Sequence, residues 1–124
     1  MMLARIGAIS YVLWGVLHLK AAYDGFELAA TQDPGFVQGK LSQGAWDLAF
    51  FSIAAILIAI LLNWRNDSRG YWLNLVMVSA ADLGFVIFVL LPGHIPLFPG
   101  LLGPALWLSG ALFSTLAILS RREG

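Results

Sequence analysis

The sequence predicts an all-α fold: an integral membrane four-transmembrane-helix bundle with both termini cytoplasmic. Three observations predict it. Hydrophobic residues make up 60% of the 124-residue chain and charged residues only 11%, where soluble proteins carry about 25% charged residues. Four apolar stretches recur at Leu3–Tyr23, Ala45–Trp64, Tyr71–Leu91 and Gly100–Leu119. Each has about 20 residues, enough at ~1.5 Å per residue to cross a hydrocarbon core of ~30 Å. The basic residues are also lopsided. Arg5, Arg65, Arg69, Arg121 and Arg122 fall on the side of the termini, against Lys20 and Lys40 on the other. The positive-inside rule then puts the termini in the cytoplasm, with Asp24, Glu27 and Asp33 outside.

Helix 1, Leu3–Tyr23, has the early arginine and apolar core of a secretory signal, but no small-x-small cleavage motif follows, so it is read as a retained helix. The link Asp24–Gly44 is long. "DGFE" at its start has the spacing of a capping box, with Asp24 as cap and Glu27 three residues on. That favours a short amphipathic helix on the outer surface at Asp24–Thr31. "DPG" at Asp33–Gly35 reads either as a turn or as a cap with Pro34 at the first helical position. In the second case helix 2 starts above the membrane and runs about 30 residues. The link "RNDSRG" is short and polar, which makes helices 2 and 3 antiparallel neighbours. Pro92, Pro96 and Pro99 stiffen the link before helix 4. Trp46, Trp64, Tyr71 and Trp72 mark the interfaces as an aromatic belt. Within lipid every backbone N–H and C=O must pair inside its own segment, which is why spans of this length are helices. No boundary divides the chain, so residues 1–124 read as one four-helix domain.

Helices in lipid associate through close packing, which small residues four apart permit. Such pairs occur at Ala4 and Ala8, Ala45 and Ala49, Ala55 and Ala59, Ala80 and Gly84, and Gly110 and Ser114. A unit this small exposes much of every helix, so a homo-oligomer is expected.

The polar residues inside the apolar stretches are few. Asp82 lies nine residues before the end of helix 3, roughly 13 Å deep by helical rise. Counted the same way, Tyr11 lies at a similar depth in helix 1, with Trp14 and His18 above it. Asp47 is near the outer start of helix 2, and His94 is in the proline-rich outer link. All six fall in the outer half, and the inner half offers only Asn74 and boundary arginines. A charged carboxylate at mid-bilayer costs about 2.5–3.5 kcal/mol, so an intramembrane acid marks a functional site by default. Burial penalises the charged form, and Asp82 is expected to be protonated or paired.

These residues fit three functions. The favoured one is an outward-facing polar pocket lined by Tyr11, Trp14, His18, Asp47, Asp82 and His94 that binds a small lipophilic ligand or partner. The second is a membrane enzyme, an isomerase or hydrolase of a lipophilic substrate, with Asp82 and His18 as the catalytic acid and base. A haem on His18, or a divalent metal on His18 and His94, would extend that reading. The third is a proton-coupled transporter switched by Asp82. The chain has no Cys and a net charge of zero. That excludes disulfides and thiolate chemistry and removes the basic field that nucleic acid requires. Glycine-rich phosphate loops, HExxH and GxSxG motifs are absent from the sequence.

Overall fold

The computed structural model describes residues 1–123; the side chain of Arg122, one of the five arginines at the basic end, lies outside the described residues. The chain is helical almost throughout: α1 (Met2–Ala30), α2 (Phe36–Leu61), α3 (Ser68–Phe85), α4 (Leu97–Gly100) and α5 (Leu102–Glu123). Four helical segments, Met2–Ala30, Phe36–Arg65, Ser68–Leu90 and Leu97–Arg121, are long and apolar enough to cross a membrane.

The helices form a ring. α1 packs against α2 and α5, and α3 packs against the same two. Hence α1 and α3 face each other across the diagonal. Their shared core is built from Ala8, Tyr11, Trp14, Ala55, Ala59 and Val78.

The closest seam is α1 on α2, and Gly15 is central to it. A Cβ at Gly15 would lie 2.8 Å from the Ser52 carbonyl oxygen and would also strike the Ile56 side chain. The small-residue face continues through Ala22, Ala29 and Ala45, all buried, and a Cβ at Gly25 would come within 3.1 Å of Ala45 Cβ.

That continuation overturns the expected long link. α1 runs unbroken to Ala30, so "DGFE" lies inside a helix and caps nothing. Asp24 instead pairs with Lys20 one turn earlier, an (i, i+4) pair of the kind helices favour. Asp33-Pro34-Gly35 is a turn, and α2 starts directly after it with Gly35 as its N-cap. Gln38 Nε2 donates to the carbonyls of Ala29 and Gln32, both at 3.2 Å, tying the turn to α2. The polar residues that look like a surface link are thus the outer faces of two mutually supporting helices. At ~1.5 Å per residue these helices reach about 43 and 39 Å, so the hairpin tip extends beyond a ~30 Å core.

At the end that carries the termini, a 3-10 turn (Asn63–Arg65) and left-handed Asn66 (φ 58°) reverse the chain. Asp67 caps α3, accepting from the Arg69 N–H at 2.8 Å and from its guanidinium Nη2 at 2.8 Å. The Arg69 side chain first, and its backbone N–H second, pull the Asp67 carboxyl down to about 2. A carboxyl depressed on folding contributes stability above the unfolded value of about 4, and loses it as the pH falls through the folded one. Helix melts in detergent should therefore show a loss between pH 4 and 2 that is smaller in Asp67→Ala; equal acid sensitivity in the two proteins would contradict this.

Asn74 and Asn63 are buried below this turn. Asn74 Nδ2 donates to Asn63 Oδ1 at 2.8 Å and to the Ala55 carbonyl at 3.2 Å. α3 widens at its far end into a π-turn, Val86–Leu90, where Leu91 N–H reaches back to the Val86 carbonyl at 2.9 Å. Of the small-residue pairs, Ala80 and Gly84 face away from the bundle: Ala80 is exposed, and a Cβ at Gly84 would meet nothing within 4 Å.

Candidate functional site

Asp82 sits on α3 one turn before the π-turn and is 0% exposed. Its Oδ1 lies 3.4 Å from His18 Nε2 on α1. Because α1 and α3 are diagonal partners, this contact crosses the axis of the bundle.

The imidazole is fixed in orientation. His18 Nδ1 lies 2.8 Å from the Trp14 carbonyl oxygen, one turn back on α1. A carbonyl only accepts, so Nδ1 is the nitrogen that carries the permanent proton. The Trp14 ring stacks on the imidazole with centroids 4.0 Å apart and planes 22° from parallel. With Nδ1 committed, Nε2 is a bare acceptor in the neutral ring. It faces a carboxylate oxygen, another acceptor. One proton placed between them turns a repulsive contact into an attractive one, as His with a protonated Asp or as imidazolium with carboxylate.

α5 closes over the pair. A Cβ at Gly103, in the first turn of α5, would lie 3.1 Å from His18 Cε1, 3.4 Å from Nε2 and 3.8 Å from Asp82 Oδ2. Glycine lets the backbone approach this closely, and it brings the positive end of the α5 dipole beside the carboxylate. Among the described residues neither carboxylate oxygen has a hydrogen-bond partner, His18 included, and the Trp14 Nε1–H is likewise buried without one.

The structure thus brings together three of the six residues singled out by sequence: Trp14, His18 and Asp82. Tyr11 is placed elsewhere. It lies two turns, roughly 10 Å, from His18 toward the termini, with its ring against Gly110, where a Cβ would come within 2.8 Å of Cε1. Its depth differs from that of Asp82 because α1 continues beyond Tyr23, which shifts the origin from which depth was counted. Asp47 and His94 are exposed, and among the described residues no hydrogen bond or ion pair joins either to His18 or Asp82.

Several polar contacts have no counterpart in the sequence reading. Trp107 Nε1–H donates to Ser79 Oγ at 2.8 Å and ties α5 to α3. Ser10 and Ser109 share a hydrogen bond of 2.9 Å that ties α1 to α5. With Asn63 and Asn74 also buried, the half nearer the termini is richer in buried polar groups than expected. Asp82 is the one buried carboxylate among the described residues. No composition or spacing signal marks Gly103 or the Ser79–Trp107 pair.

Among the described residues no group of three or more His, Asp or Glu side chains gathers as a metal donor set. His18 Nδ1 is taken by the Trp14 carbonyl, while Nε2 faces Asp82 Oδ1 at 3.4 Å. On the flank beside Asp82, α3 and Phe51 of α2 line an apolar groove of about 690 Å³. Its walls include Phe51, Trp72, Val76, Met77, Ala80 and Ala81. That volume lies within the ~300–1,000 Å³ typical of small-molecule sites. No protein family, curated protein or solved structure matches the chain.

Proposed function

We propose that the protein binds a small lipophilic molecule in the α2–α3 groove and couples that binding to a proton held between His18 and Asp82. One observation carries the reading: His18 Nε2 and Asp82 Oδ1 face each other at 3.4 Å across the bundle axis, with Asp82 fully buried. The groove begins at Ala81, the residue next to Asp82. A cationic lipophile arriving there offsets the charge uncovered when the proton leaves. The π-turn one helical turn beyond Asp82 gives α3 a place to adjust, as such turns do at many functional sites. The enzyme reading fares less well, since Asp82 is fully covered and Gly103 leaves a substrate no approach to it.

The finer placement belongs to the same proposal. The arginine-rich end lies in the cytoplasm and the chain spans the inner membrane, as the positive-inside rule directs. Lipid is the surrounding medium, and a neutral, apolar chain has no use for nucleic acid.

Tetraphenylphosphonium is a suitable probe of the purified protein in weakly buffered detergent. Binding should tighten as the pH rises and should release protons into the medium. In Asp82→Asn, binding should lose its pH dependence and the release should vanish. Binding by the native protein that ignores pH and releases no proton would reduce the site to a plain lipophilic groove.

A further inference from the structure

At the opposite end of the bundle from the His18–Asp82 pair, the geometry points to a binding site for the phosphate of an anionic phospholipid. The inference is independent of the proton-coupled reading and rests only on the helices spanning a membrane.

A cavity of about 280 Å³ opens there between the start of α1, the 3-10 turn and the last turns of α5. Leu3, Arg65, Asn66, Ala117, Ser120 and Arg121 line it. Two guanidinium groups from separate elements thus border one small space. Arg121 is held in place, with Nη1 donating to the Asn66 carbonyl at 2.8 Å and Nη2 to Ser68 Oγ at 2.7 Å. Arg5 lies nearby, its guanidinium carbon 5.1 Å from the centre of the Trp64 ring. Asp67, the acid of the adjoining loop, is held by Arg69. The exposed carbonyls at the end of α5 would repel an anion, but Ala117 O is already answered by Asn66 Nδ2 at 3.0 Å.

The chemistry of the walls selects the ligand. Planar guanidinium groups recognise phosphate through paired N–H donors. Leu3 and Ala117 supply an apolar floor that a free ion has no use for. Below the cavity, Leu116, Leu112 and Leu119 of α5 are exposed and can carry acyl chains. Trp64 and Trp72, also exposed at this end, sit where an aromatic belt marks the headgroup level. Basic pockets between spanning helices at this level bind anionic headgroups. A phosphatidylglycerol-type lipid, with one phosphate and no compensating cation, fits this combination. Phosphatidylcholine brings its own positive charge into a site that already has two.

Native mass spectrometry of the full chain, released from micelles doped with phosphatidylglycerol or phosphatidylcholine, tests the proposal. The protein should retain phosphatidylglycerol preferentially, and its melting temperature should rise with that lipid but not with phosphatidylcholine or inorganic phosphate. Arg65→Gln should weaken phosphatidylglycerol retention by about tenfold or more, the loss of one charged phosphate hydrogen bond. Lys40→Gln, at the far end of the bundle, should leave retention unchanged. Arg121→Gln removes contacts to Asn66 and Ser68 as well, so Arg65→Gln, which removes no side-chain hydrogen bond seen among the described residues, is the deciding variant. Equal retention of the two lipids, full preference in a folded Arg65→Gln protein, or stabilisation by inorganic phosphate equal to that by phosphatidylglycerol would each overturn the assignment.

Discussion

Replacing His18 by leucine should destabilise the bundle by about 3–5 kcal/mol near pH 8, and replacing Asp82 by leucine in the same protein should recover most of the loss. The sign follows from what each change leaves behind. In His18→Leu the Asp82 carboxyl stays buried without the imidazole that faces it 3.4 Å away in the native protein, and an orphaned buried charge costs that much. In the double variant no charge is left on the axis, and apolar side chains of similar volume often replace a buried ion pair without loss. Asp82→Leu alone should cost less than His18→Leu, because the remaining imidazole can shed its charge and keep its bond to the Trp14 carbonyl. Unfolding in mixed micelles, followed by the fluorescence of Trp14 and its neighbours, measures all three. A His18→Leu protein as stable as the native one would remove the electrostatic basis of the site. A double variant no more stable than His18→Leu would assign the loss to packing.

Gly15→Val should be the most damaging glycine substitution on α1. Its Cβ would enter the space beside the Ser52 carbonyl, 2.8 Å away, and a backbone atom cannot rotate aside as a side chain can. α1 and α2 would have to separate along their seam, at a cost of about 1–3 kcal/mol for overpacking and more if the hairpin tip opens. Gly84→Ala makes the contrast. Nothing lies within 4 Å of a Cβ there, and alanine is the better helix former by about 1 kcal/mol. That variant should melt at or above the native temperature. The same residue type in the same kind of apolar helix should thus give opposite signs. Equal tolerance of both substitutions would mean that the α1–α2 seam is looser than its small residues imply.

The contrast between Gly15 and Gly84 also shows where sequence reading stops. Both are glycines in apolar runs, and small-residue spacing even favoured Gly84, paired with Ala80, as a packing position. Which face a helix turns inward is set by its neighbours, and the ring order of four apolar helices leaves no trace in composition. The link after helix 1 failed for a related reason. Asp24, Glu27 and Asp33 make the segment look like a surface connection, while the residues that bind it into a helical hairpin, Ala22, Gly25, Ala29 and Ala45, are small and unremarkable in isolation.

The number of spans and their minimum length were legible because a bilayer imposes them. About 20 apolar residues without charge are costly to leave in water and must be helical in lipid, whatever their partners. Asp82 and His18 were legible too, since an ionisable group within such a stretch is expensive and therefore conspicuous. Their meeting was not. It required α1 and α3 to lie across the diagonal, α1 to continue past Tyr23, and Gly103 to let α5 close over them. Tyr11 was misjudged by the same distance that α1 was underestimated, and Asp47 and His94 were grouped with the pair on shared depth alone. Residue content alone makes this chain four apolar helices carrying a few ionisable groups, because transfer free energy is a sum over residues. That His18 and Asp82 face each other was settled by helix packing, because it depends on a few ångströms of helix rotation that no residue specifies alone.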